Sequence, residues 1–154
     1  MINKFIFRCD ASIQIGSGHV IRCRTLAREL INRGSEIYFI CREMEGDLIS
    51  LLEDEFNVLK LKSNKSNFEY SDNIKDFSEE DKYSRWLGCS QEKDAHDCYE
   101  ILCKNNLKNF NYFILDHYGL DHVFEKSLFS KLNINFLDSP RSRPIYIVID
   151  DLAN

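Results

Sequence analysis

The sequence predicts an α/β fold: a Rossmann-like, mostly parallel sheet with helices on both faces. Three observations lead there. Short apolar runs alternate with segments of helical period along the chain, the order that parallel strands joined by crossovers require. The runs are rich in Phe and Ile and nearly free of polar residues, as buried strands are. The first of them leads at once into a glycine loop and then a helix. A chain of 154 residues, 44% hydrophobic and 29% charged, suffices for one domain with a substantial core and is short for two, so residues 1–154 read as a single unit.

In order, "KFIFRC" (4–9) is the first strand, and "DASIQIGSG" is a loop by its Asp, Ser and Gly content. From His19 to Asn32 the apolar positions Val20, Ile21, Leu26, Ala27, Leu30 and Ile31 follow helical spacing, and Gly34 reads as the C-cap. "EIYFIC" (36–41) is a second strand, "GDLISLLEDE" (46–55) a helix and "FNVLKL" (56–61) a third strand. The polar stretch "KSNKSNFEYSDNIKDFSEEDKYSR" has no clear period and is too long for an ordinary connection, so it reads as a functional loop or an excursion. "SQEKDAHDCYEILCKNNL" (90–107) is a helix with Ser90 as its N-cap, "NYFILD" (111–116) a strand, and "DHVFEKSLFSKL" (121–132) a helix. "INFL" (134–137) and "IYIVID" (145–150) both look like strands.

Composition removes several function classes. The net charge of −5 argues against a general electrostatic grip on nucleic acid. No apolar run approaches the roughly 20 residues of a membrane span, and "MINKFIFRCD" turns polar too soon for a signal peptide, so no membrane role and a cytoplasmic setting are expected. Six cysteines, at 9, 23, 41, 89, 98 and 103, form neither Cys-x-x-Cys nor a zinc-finger spacing and read as buried thiols; no metal and no cofactor are expected.

In an open parallel sheet, ligands bind beyond the carboxyl ends of the strands. The loops there follow the first strand (Asp10 to Gly18), "YFILD" (His117 to Leu120) and "IYIVI" (Asp150 onward). Gly16, Ser17 and Gly18 let backbone approach a ligand, and the first N–H groups of the helix favour an anion there. The loop has no third glycine of Gly-x-Gly-x-x-Gly and no Gly-Lys-Ser/Thr, which disfavours a dehydrogenase or an ATPase. His19, on the first helical turn, sits where a protonated ring is disfavoured. It is either a general base or a residue that merely packs under the loop. Asp10, with Arg8 beside it, is a turn residue or a substrate contact. Arg22, one turn from the loop, can aim at an anion or order the loop. In "DHYG" (116–119), Asp116 offers an acceptor or caps the turn, and Tyr118 a ring that can stack on a sugar. Trp86, in "WLG" (86–88), is core or platform.

These residues carry a resemblance. "FRCDASIQIGSGHVIRCRTLARELINRG", "CREMEGDLI", "WLGCSQEKDA", "ILDHYGLD" and "VIDDLAN" resemble, in order, the UDP-2,4-diacetamido-2,4,6-trideoxy-β-L-altropyranose hydrolases of pseudaminic acid biosynthesis. Those enzymes are related to the N-acetylglucosaminyltransferase of peptidoglycan synthesis and share its two-domain GT-B architecture. The resemblance implies the N-terminal half of a GT-B fold, and metal-independent attack of water at the anomeric carbon with inversion and release of UDP. It implies His19 as the base that activates the water and Tyr118 in the sugar site, with Gly16 and Gly18 close to substrate. Arg8, Asp10 and Arg22 match motif positions. The partners it implies are the UDP-sugar and a C-terminal nucleotide-binding domain, expected in cis or in trans because residues 1–154 match only the first half. "NINFLDSPRSRP" departs from the family pattern as an insertion. Two alternatives stand beside this reading: a GT-B glycosyltransferase domain acting on a sugar acceptor, and a non-catalytic partner domain.

Overall fold

A computed structural model describes residues 2–63, 85–135 and 143–149. Its elements are β1 (Lys4–Cys9), α1 (Gly18–Asn32), β2 (Glu36–Arg42), α2 (Ile49–Glu53), β3 (Asn57–Leu61), α3 (Gln91–Lys104), β4 (Tyr112–Asp116), α4 (His122–Lys131) and β5 (Ile145–Val148). The five strands form one sheet in the order β3-β2-β1-β4-β5, and every pairing is parallel. The fold is therefore the expected α/β, Rossmann-like one.

Side-chain alternation along the strands splits the core in two. Ile6, Ile40, Leu61, Phe113 and Leu115 pack against Ala95, Cys98 and Leu102 of α3 and Phe124, Leu128 and Phe129 of α4. Phe5, Phe7, Phe39 and Ile114 face the other way, onto Val20, Cys23 and Ala27 of α1 and Ile49 and Leu52 of α2. β1, central in the sheet, is buried from Phe5 to Cys9 because both of its faces are covered. β5 at the edge leaves Ile145, Ile147 and Val148 exposed.

The three long helices stop in the same way. Gly34 takes φ +81° while Ser35 N–H donates to Leu30 O and Gly34 N–H to Ile31 O, the crossed pair of a Schellman cap. Asn106 and Asn133, both at φ 56°, do the same for α3 and α4.

Two expectations are corrected here. The helix read over 46–55 contracts to Ile49–Glu53, because Gly46 turns at φ +77° and Asp47 accepts from the N–H groups of Met44 and Ile49, so the first residues form a turn. In "INFL", Ile134 and Asn135 are not strand: Ile134 N–H donates to Phe129 O to close α4, and its side chain packs over that helix end on the core. Phe136 and Leu137 lie outside the described residues, as do 64–84 of the polar stretch and the loop from Asp150.

The chain moves outward from β1 to β2 and β3 on one side, then returns to place β4 on the other. The carboxyl ends of β1 and β4 thus flank the point where strand order reverses, where open sheets of this kind leave a crevice.

Candidate functional site

The loop leaving β1 is held by its own short-range bonds. Ser12 Oγ accepts from the N–H groups of Gln14 and Ile15, at 3.2 and 3.0 Å, and Gly16 N–H donates to Ser12 O at 2.8 Å. Gly16 makes the turn at φ +80°, which a side chain would strain. Ile13 docks the loop onto the next one: its N–H donates to Glu45 O at 3.0 Å, and its side chain lies over Gly46, where a Cβ would come within 2.8 Å of it. Gly16, Ser17 and Gly18 are exposed at the rim.

α1 then begins without the usual devices. Ser17 makes no side-chain cap, and the first turn has no acidic residue. By contrast, Ser90 caps α3 and Asp121 caps α4, each with an acidic residue in the turn that follows. The first N–H groups of α1 therefore have neither a side-chain cap nor an acidic residue of their own turn beside them.

Beneath them stands a three-residue cluster. His19 Nδ1 lies 2.6 Å from Asp116 Oδ1, across the reversal of strand order. Arg22, one helical turn on, donates Nε to Asp116 Oδ2 and Nη2 to Oδ1, both at 2.5 Å, as a two-pronged fork. Cys23 Sγ adds a longer contact of 3.4 Å to Oδ2. Burial alone would raise the Asp116 pKa; the hydrogen bonds from Arg22 and His19 outweigh it and hold the carboxyl below its ordinary value. An ionised carboxylate only accepts, so in the 2.6 Å contact Nδ1 is the donor; Arg22 Nη2, 3.2 Å from the same nitrogen, is then a neighbour and not a donor to it, and the tautomer with its proton on Nδ1 has its lone pair on Nε2. Nε2 forms no hydrogen bond among the described residues, and the residue is 5% exposed.

The loop after β4 closes over this cluster. The Tyr118 ring stands edge-on to His19, centroids 4.5 Å apart at 81°. His117 turns the other way: its Nδ1 accepts from Gly119 N–H at 2.9 Å, which places its proton on Nε2. That nitrogen lies 3.1 Å from Asp10 Oδ2, turned toward the carboxylate though outside hydrogen-bond geometry.

A second ionic cluster lies deeper. Arg8 and Arg42 project from the ends of β1 and β2 on the α3 side and converge on Asp94 in the first turn of that helix. Arg8 grips Asp94 through Nε and Nη2 at 2.9 and 2.8 Å and reaches Asp10 through Nη1 at 2.6 Å. Arg42 bonds Asp94 through Nη2 at 2.7 Å, Asp97 at 3.0 Å and the Lys62 carbonyl at 2.7 Å. Asp10 Oδ1 also accepts from the Arg42 backbone N–H at 2.7 Å. Burial works against the charge on Asp10 and Asp94, but the guanidinium of Arg8, with His117 or Arg42 beside it, holds both carboxyls well ionised.

Of the residues singled out in the sequence, the structure thus brings His19, Arg22 and Tyr118 together around Asp116. It places Gly16, Ser17 and Gly18 on the rim above and turns Arg8 and Asp10 inward, out of contact with solvent. Asp94, Arg42 and His117 are participants that sequence reasoning missed. The available signal for Arg42 was its likeness to Arg8: an arginine closing an apolar strand run. All six cysteines are free; Cys9, Cys23, Cys41 and Cys98 are buried. Among the described residues no group of three or more His, Cys, Asp or Glu side chains converges to hold a metal ion, and no helix is long and apolar enough to cross a membrane.

No protein-family model matches this chain, and no curated protein sequence is significantly similar to it.

Proposed function

We propose that this chain is the sugar-binding, catalytic-base half of a nucleotide-sugar hydrolase that adds water to the anomeric carbon of UDP-2,4-diacetamido-2,4,6-trideoxy-β-L-altropyranose and releases UDP. The observation that carries the reading is the 2.6 Å bond from His19 Nδ1 to Asp116 at the reversal of strand order. It fixes the ring's tautomer and direction and leaves Nε2 to accept a proton. The sequence resemblance supplies the reaction class.

On this reading a water held by Nε2 attacks the anomeric carbon. The new C–O bond forms as the bond to the diphosphate breaks, the water's proton passes to Nε2, and UDP departs with the electron pair. Asp116 balances the imidazolium that results, and Arg22 keeps the carboxylate facing the ring. Tyr118 walls the sugar side. The uncapped start of α1, with Gly18 exposed, receives an electronegative part of the substrate. A C-terminal nucleotide-binding half, in cis or in trans, holds the UDP, so the chain alone turns over poorly.

The test is UDP release from the UDP-sugar with that half supplied. His19→Ala should lower turnover by about 10²- to 10⁴-fold. Wild-type turnover in that variant would remove His19 from the role. Product analysis with added sugar acceptors separates hydrolysis from glycosyl transfer.

A further inference from the structure

Of the aromatic rings among the described residues, only Trp86 and Tyr118 belong to neither apolar core. Both are half-buried. Trp86 sits on a helical turn at 85–87 whose next residue, Leu87, is fully buried, and Gly88 ends the turn at φ +71°. The turn is thus anchored by Leu87, while the larger and more costly ring is left outside the core. Its centroid lies 6.3 Å from that of Tyr118, at 33°, and Tyr118 in turn stands 4.5 Å from His19. Two large rings and the imidazole make a connected row beside the carboxyl end of β4.

We propose that Trp86 and Tyr118 form a platform for the apolar face of the substrate sugar, with Trp86 as a specificity residue that nothing in the hydrolytic step requires. This rests on the hydrolase reading for the identity of the sugar. An acetamido-substituted 6-deoxy sugar presents ring C–H groups and methyls on one side. Such a surface is poorly served by hydrogen bonds and well served by flat rings. The tyrosine adds a hydroxyl for the polar edge; tryptophan contributes area. A ring that serves only binding affects ground state and transition state alike, so it acts on KM and leaves kcat in place.

Trp86 is the chain's sole tryptophan, so its emission reports this position alone. The chain by itself is titrated with free 2,4-diacetamido-2,4,6-trideoxyaltrose and, separately, with UDP. The expected result is a saturable change in Trp86 emission with the sugar and none with UDP. With the C-terminal half supplied, Trp86→Ala should raise KM for the UDP-sugar about 3- to 10-fold at unchanged kcat, and Trp86→Phe should recover most of it. Emission that ignores the sugar, a response to UDP alone, or a fall in kcat without a change in KM would overturn the platform. The two readings fail separately. Sugar-dependent emission without any UDP release keeps the platform and removes the hydrolase; UDP release that needs His19 but leaves Trp86 emission flat does the reverse.

Discussion

The carboxyl end of this sheet holds two clusters made from the same residue types, and they differ in what they leave unused. In the Arg8–Asp10–Asp94–Arg42 cluster every guanidinium nitrogen of both arginines has a protein acceptor, and neither aspartate touches solvent. In the His19–Asp116–Arg22 cluster the arginine is 32% exposed and the imidazole keeps one nitrogen uncommitted among the described residues. Ion pairing alone therefore does not mark chemistry here. The deep cluster ties β1, β2 and α3 together and steadies the loop through Asp10; the shallow one combines fixed geometry with a ring nitrogen that has no partner among the described residues.

The largest effect that would sharpen this contrast is on folding. Arg8→Ala strands Asp94 and Asp10 as buried charges with too few partners, and should cost about 3–5 kcal/mol in urea unfolding. Arg22→Ala removes a fork that already meets water and should cost no more than about 1–2 kcal/mol. Equal losses would mean that the two clusters are structural to the same degree.

Next in size is an effect on turnover. On the proposed hydrolase reading, Asp116→Asn, which keeps the shape but removes the charge that faces His19 Nδ1, should lower UDP release about 10²-fold with the C-terminal half supplied. Asp97→Asn, on the rim of the deep cluster, should leave turnover within a factor of two or so, since among the described residues Asp97 bonds Arg42 and Lys93 and neither His19 nor Asp116. A comparable loss in both variants would break the division of labour.

The sequence made the strands legible because a buried parallel strand needs no partner to be recognised: "KFIFRC" is apolar by itself, and β1 spans the same six residues. α1 was legible from spacing, and its end from Gly34. The apolar Ile134 misled because an apolar residue after a helix can close a Schellman cap as readily as begin a strand. The site was half legible. His19 and Tyr118 stand beside glycines, which signal a loop locally. Asp94 looks like an ordinary acidic residue in a first helical turn; its partner Arg8 lies 86 positions away, and only the fold joins them. The same holds for Arg22 and Asp116, 94 positions apart.

Acid should separate the clusters more gently. Asp10, Asp94 and Asp116 all have folded pKa values below the ordinary one. Each binds fewer protons in the folded chain than in the unfolded chain. The stability each gives is complete above the unfolded value of about 3.9 and drains as pH falls toward the folded one. These carboxylates therefore predict a urea midpoint that is flat from pH 7 to 5 and falls below about pH 4. Replacing Asp94 by Asn should flatten that acid limb more than replacing Asp116, because Asp94 joins two buried arginines and Asp116 one half-exposed arginine. A limb unchanged in Asp94→Asn would show that the deep cluster is not what acid dismantles.

The smallest expected effect on folding is the one that bears most directly on the rim. Gly16 and Gly18 both stand in open space, where an added Cβ would meet no atom within 4 Å. Gly16 nevertheless needs to be glycine for its φ of +80°, so Gly16→Ala should cost about 1–2 kcal/mol. Gly18 has no such need: it begins α1, and alanine there should leave the melting temperature unchanged or raise stability by up to about 1 kcal/mol. Neither packing nor backbone conformation explains a glycine at that position. A molecule that comes close to the helix start would explain it, because a methyl group there takes the space. On the proposed hydrolase reading, Gly18→Ala should accordingly fold as well as the parent chain and release UDP at least about 10-fold more slowly. A variant that folds well and turns over normally would place the substrate away from the start of α1 and leave the cluster below it, His19 included, without a ligand to act on.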